Sequence, residues 1–119
     1  MALEKFDELK RGDTWNPTIY LYSDLKKTVP YDATDMTLKC HIKERMEETA
    51  PDIFVLTGTW TDQSNGVGNV NLTHVQSLQL RIMDYYVQFK IYTTLDNTVV
   101  KTPKQGILPV VEVLEKDIA

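Results

Sequence analysis

The sequence predicts an all-β fold, an antiparallel β-sandwich (Ig-like) of about seven strands preceded by a short N-terminal helix. Three observations predict it. From Thr18 onward, apolar residues recur mainly with a period of two. Runs rich in Val, Ile, Thr, Tyr and Phe alternate with Gly, Pro, Asn and Asp clusters, spaced at roughly 8–12 residues. The chain has 119 residues, 42% of them apolar. That is enough for one core and one domain.

The opening residues are the helix candidate. Leu3, Phe6 and Leu9 recur at helical spacing, while Glu4, Lys5, Asp7, Glu8 and Lys10 solvate the other side. The segment stops at Arg11-Gly12-Asp13 and is short enough to be marginal on its own. The expected organisation is an arm over residues 1–10, a sandwich over 11–114 and a tail over 115–119.

Thr18-Ile19-Tyr20-Leu21-Tyr22 then alternates, with Ile19 and Leu21 on one face and the tyrosines on the other. Val29 to Asp35 supplies turn formers. Met36, Leu38, Cys40 and Ile42 oppose Thr37, Lys39, His41 and Lys43, a half-buried strand with one wet face. Glu44 to Asp52 is a charged connection, and Ile53 to Trp60 reads as one strand. Asp62-Gln63-Ser64-Asn65-Gly66 is a turn, because Asn-Gly readily takes positive φ. Val67 to Leu72 returns as a strand with Val70 and Leu72 on one face, and Thr73 to Leu80 holds a helical turn.

Tyr85, Val87, Phe89 and Ile91 form the apolar face of the longest strand. Leu95-Asp96-Asn97-Thr98 and Pro103-Lys104-Gln105-Gly106 are turns on either side of a short strand, Val99 to Thr102. Ile107 to Leu114 closes the series. Pro109 lacks a ladder donor, which places this last strand at an edge or gives it a bulge.

Composition excludes several functions. A net charge of −4 disfavours duplex nucleic acid, which needs a basic surface. One cysteine excludes an internal disulfide framework and multi-thiolate zinc. The first ten residues lack the apolar core of a secretory signal, and no run is long enough for a membrane helix.

The chemistry-bearing residues are few. His41 falls on a polar strand face and reads as a solvated surface residue, while His74 falls at a turn or helix start. Neither has a second ligand at metal spacing. Cys40 lies between Leu38 and Ile42 on the apolar face, with His41 pointing the other way, so it reads as core. Asp32, Asp35 and Asp62 are turn residues without the alternating ligands of a calcium loop. Arg11-Gly12-Asp13 matches the integrin-ligand tripeptide, yet it more simply turns the chain into the first strand. No catalytic set, metal site or cofactor is expected.

Aromatic residues remain. Trp15 and Trp60 read as core, and Tyr20, Tyr22, Tyr86 and Tyr92 are outward residues suited to a protein contact. The expected contact residues are therefore Leu3, Phe6 and Leu9 of the arm, those four tyrosines, and the Pro109 edge.

A resemblance rests on a series of short motifs. Gly12-Asp13-Thr14-Trp15 opens a strand, and Tyr31-Asp32-Ala33-Thr34-Asp35 precedes Met36 to Lys43. Tyr85 to Ile91 is followed by Thr98-Val99-Val100-Lys101-Thr102 and Gly106-Ile107-Leu108-Pro109-Val110. This order resembles the N-terminal β-sandwich domain of siphophage upper baseplate proteins (BppU type) and related small phage tail modules. It departs from them at Met83-Asp84, where such modules often place a glycine. The resemblance implies a structural role in a virion tail, made in the host cytoplasm and exercised through contacts with copies of itself and other tail proteins. It implies no catalytic residues. The expected function is a non-enzymatic assembly module without nucleic-acid or membrane partners. The alternative is a small carbohydrate- or ligand-binding β-domain using Trp15, Trp60 and the tyrosines.

Overall fold

Alternation of apolar and polar residues builds the strands at the centre of the fold. The computed structural model describes residues 4–24, 26–47, 49–95 and 98–112. Among them the strands are β1 (Glu4–Lys5), β2 (Leu9–Lys10), β3 (Thr18–Tyr20), β4 (Met36–Lys43), β5 (Asp52–Thr57), β6 (Thr59–Asp62), β7 (Val67–Asn69), β8 (Asp84–Thr93) and β9 (Val99–Val111). One short helix, α1 (His74–Leu78), lies between β7 and β8. The protein is all-β, with its strands in two sheets.

The large sheet runs β1-β9-β8-β4-β5, and β2 also pairs with β9. The small sheet runs β3-β7-β6. Leu38, Cys40 and Ile42 of β4 and Tyr85, Val87, Phe89 and Ile91 of β8 are buried, as their alternation predicts. They share one core with Ile19, Leu21, Val70 and Leu72 from the small sheet and its flanks. Burial of Cys40 pushes its thiol pKa up, because a thiolate there would lose its hydration.

Nine strands stand among the described residues against about seven expected, β3 ends at Tyr20 and β7 at Asn69, and three further differences each have a local reason. The expected N-terminal helix is absent from the described residues: β1 and β2 run parallel to β9 instead. A helix this short gains too few backbone bonds to repay its nucleation. In the extended form, Phe6 N donates to the Ile107 carbonyl and Arg11 N to the Val111 carbonyl, each at 2.9 Å. The large sheet is consequently mixed rather than purely antiparallel.

The expected single strand from Ile53 to Trp60 is broken at Gly58, where the chain leaves the large sheet for the small one. Gly58 N donates to the Leu38 carbonyl at 2.7 Å. A Cβ at this position would lie 2.8 Å from Leu38 Cδ2 and 2.9 Å from the Asn69 carbonyl oxygen, so the crossing needs glycine.

The expected turn at Pro103–Gly106 is instead strand, and the two short segments around it form the single long β9. Phe89 faces Lys104 while Ile91 faces Lys101, so β9 holds an extra residue there. Pro103 sits in that bulge, which needs no donor from it.

Pro109 neither lies at an edge nor bulges from its strand: β9 has partners on both sides, and Asp84 pairs with Pro109 and Tyr85 with Leu108 in unbroken register. Val110 N donates toward β8, to the Met83 carbonyl. By alternation the missing donor of Pro109 faces the N-terminal segment. There, Lys5 pairs with Ile107 and Leu9 with Val110, so three residues of the N-terminal segment span two of β9.

Two turns fall where expected. Gly66 takes φ of +69° at the end of the Gln63–Asn65 turn, and a Cβ there would meet the Tyr31 carbonyl oxygen at 2.5 Å. Thr73 and Gln76 form a reciprocal capping box that starts α1. Leu3, the Asp96-Asn97 pair, the end of the last expected strand at 113–114 and the tail at 115–119 lie outside the described residues.

Candidate functional site

The outer face of the large sheet is the most chemically differentiated surface among the described residues. Because Leu38, Cys40 and Ile42 face the core, Thr37, Lys39, His41 and Lys43 point the other way. Across the sheet, His41 faces Gln88 on β8 and Val55 on β5, while Thr37 faces Tyr92 and Lys39 faces Lys90.

His41 is not the freely solvated residue its alternation suggested. Its side chain is 12% exposed and held from both ends. Nδ1 lies 3.1 Å from Asp52 Oδ2, and Nε2 lies 2.7 Å from the Tyr92 hydroxyl. Lys39 Nζ sits 5.0 Å above the Tyr92 ring, a cation–π contact. The carboxylate–imidazole–phenol chain fixes three strands side by side and orients the ring. Mechanically it is a clamp on the start of β5.

A second polar group lies on the same face. Tyr86 donates its hydroxyl hydrogen to Gln105 Oε1 at 2.6 Å, and Gln88 Nε2 donates to the Tyr86 oxygen at 3.2 Å. Tyr86 and Gln88 are buried. This face also carries Lys39, Lys43 and Lys90, although the chain's net charge is −4.

β5 forms one edge of the large sheet, with β4 as its described partner. On its outer face Ile53 and Val55 are 41% and 46% exposed, while Leu56 faces the core. A cleft at the β4–β5 connection is lined by Glu44, Arg45, Ala50, Pro51 and Ile53.

The expected contact residues are dispersed. Leu9 is buried and Phe6 is half-buried, its ring meeting Trp15 at 5.9 Å and Phe89 at 6.0 Å edge-on. Tyr20 is exposed and Tyr22 half-buried, in and beside β3 of the small sheet; Tyr86 and Tyr92 belong to the large one. The four tyrosines therefore do not form one patch. Pro109 is buried within β9. Trp15 and Trp60 are half-buried against the core, and Trp60 Nε1 donates to the Met36 carbonyl at 3.0 Å.

Arg11-Gly12-Asp13 packs against α1. Arg11 donates to the carbonyls of Leu80 and Leu78 at 2.8 and 2.7 Å, and Gly12 N donates to Ser77 Oγ at 2.9 Å. His74 Nδ1 lies 2.6 Å from the Gly12 carbonyl oxygen. The arginine serves as a cap for the helix end.

Sequence reasoning passed over Asp52 and the Ile53/Val55 pair. Period two within Ile53-Phe54-Val55-Leu56 carries the signal for an outer face. That β5 lies at the sheet edge follows only from the topology. No helix among the described residues is long and apolar enough to cross a membrane. No protein-family model and no curated protein sequence matches the chain.

Proposed function

We propose that this protein is a non-enzymatic structural module that works by burying surface against neighbouring subunits. The reading places it in a phage or prophage tail or baseplate, as the order of its motifs suggests. Its two sheets are read as the layers of an Ig-like β-sandwich, a view supported by the single core that residues of both sheets share.

One observation carries the assembly reading. Ile53 and Val55 expose apolar side chains on the edge strand β5, whose outer side no described strand covers. Partners in this reading are copies of the same chain and other virion proteins.

Size-exclusion chromatography with light scattering over a concentration series tests it. Mass above 13.7 kDa that rises with concentration is expected. A strict monomer at millimolar concentration removes self-assembly, and failure of antibodies to label purified virions removes the tail placement.

A further inference from the structure

We propose that Asn65 is a modification site, where the unfolded chain loses ammonia through Gly66, and that the folded turn guards it. Modification there adds a main-chain atom where the fold has no room for one, so the altered chain does not refold.

The chemistry follows from the sequence. The chain has five asparagines, and Asn65 alone precedes glycine; the others precede Pro17, Val70, Leu72 and Thr98. With no side chain on the following residue, the Gly66 nitrogen reaches the Asn65 side-chain carbonyl unhindered in a flexible chain. That nitrogen bonds to Asn65 Cγ, the Cγ–Nδ2 bond breaks, and ammonia leaves with the proton of Gly66 N. Water then opens the five-membered imide at either carbonyl. Opening at Cγ leaves aspartate. Opening at the main-chain carbonyl leaves isoaspartate, whose backbone runs through Cβ and Cγ.

The fold holds the reacting atoms apart. Asn65 ends the helical turn Gln63–Asn65, and ring closure needs Gly66 N swung into line with the Asn65 Cα–Cβ bond, far from helical backbone angles. Gly66 N donates to the Gln63 carbonyl at 3.1 Å, which ties down the nucleophile. The leaving group is tied as well: Asn65 Nδ2 donates to Asp62 Oδ2 at 2.9 Å. Asn65 is exposed to water, so geometry and not burial provides the protection.

The surroundings of Gly66 decide what modification does. Its carbonyl accepts from Leu21 N at 2.9 Å, and a Cβ on it would lie 2.5 Å from the Tyr31 carbonyl oxygen and 3.0 Å from Leu21 Cβ. The next residue, Val67, pairs with Tyr20 of β3 and Asp62 of β6. An atom added to the main chain before Gly66 must break these bonds or shift β7 against both neighbours.

The test incubates the full chain, folded and in urea, at one pH and temperature, and follows Asn65 by peptide mapping with mass spectrometry. Conversion should be at least tenfold slower in the folded protein. Asp62→Ala, checked for folding by circular dichroism, should convert faster than wild type. Equal rates in folded and unfolded wild type overturn the guard, and an unchanged rate in Asp62→Ala removes Asp62 from it. The converted sample is then diluted from urea beside Asn65→Asp, which carries the same new charge on an unaltered backbone. Asn65→Asp should regain the wild-type near-UV spectrum, and isoaspartate should be missing from the refolded fraction. Isoaspartate recovered there in the proportion loaded overturns the refolding block. Failure of Asn65→Asp to refold assigns the block to charge beside Asp62 and overturns the role of the added atom.

Discussion

Arg11 shows how a suggestive tripeptide is spent inside a fold. Its guanidinium holds two carbonyls at the end of α1, whereas the neighbouring Asp13 is exposed. Hydrogen bonds from a charged donor are worth about 1.5–3 kcal/mol when buried and less at an exposed site. Arg11→Ala should therefore cost about 1 kcal/mol, or about 4 °C in melting temperature. Asp13→Ala should stay within about 0.5 kcal/mol of wild type in the same thermal scan. Equal effects at the two positions would remove the capping role. Asp32 makes a second residue-level case. The Thr34 hydroxyl and then the Thr34 N–H donate to its carboxylate, at 2.6 and 3.0 Å, and hold its pKa below the ordinary 3.8. A carboxyl lowered in the folded state contributes stability above its unfolded value, and that contribution is lost as pH falls through the folded value. The Asp32 carboxyl should titrate by NMR below pH 3.8 in wild type, and its midpoint should rise toward that value in Thr34→Val.

At the scale of elements, Gly58 decides how many strands the Ile53–Trp60 run makes. The Cβ of an alanine would press on Leu38 Cδ2 and on a backbone oxygen of β7 that cannot move aside cheaply. Overpacking of this kind costs about 1–3 kcal/mol, so Gly58→Ala should lower the urea midpoint by a corresponding amount. An unchanged midpoint would mean that the crossing tolerates a side chain. Here the limits of the sequence become physical. β4 and β8 were legible because their alternation is long and the apolar face of each packs into the common core. The break at Gly58 was not, since a close approach between strands distant in sequence leaves no local trace. Pro103 misled in the opposite direction: proline marks a turn by default, but a bulge accommodates it equally well. The same limit hid the site. His41 is 11 residues from Asp52 and 51 from Tyr92, and only the β5-β4-β8 order brings the three together.

For the molecule as a whole, the N-terminal segment separates two accounts of how the protein is held together. An arm that docks on a neighbour contributes nothing to the stability of an isolated chain. The geometry assigns it an internal role instead: Leu9 is 4% exposed within the common core, and Phe6 completes a three-ring cluster with Trp15 and Phe89. β1 and β2 also cover the far side of β9, which would otherwise be a long edge. Truncating a buried leucine typically costs about 2–5 kcal/mol. Leu9→Ala should therefore lower unfolding free energy by that amount in urea denaturation at high dilution, where self-association is negligible. A variant lacking residues 1–10 should lose more, and it should aggregate through the uncovered β9. An unchanged urea midpoint for Leu9→Ala would return the segment to the role of a docking arm. If the stability falls as expected, an assembly defect in the truncated chain reports a damaged domain, and the contact between subunits has to be sought at the opposite edge of the sheet, on β5.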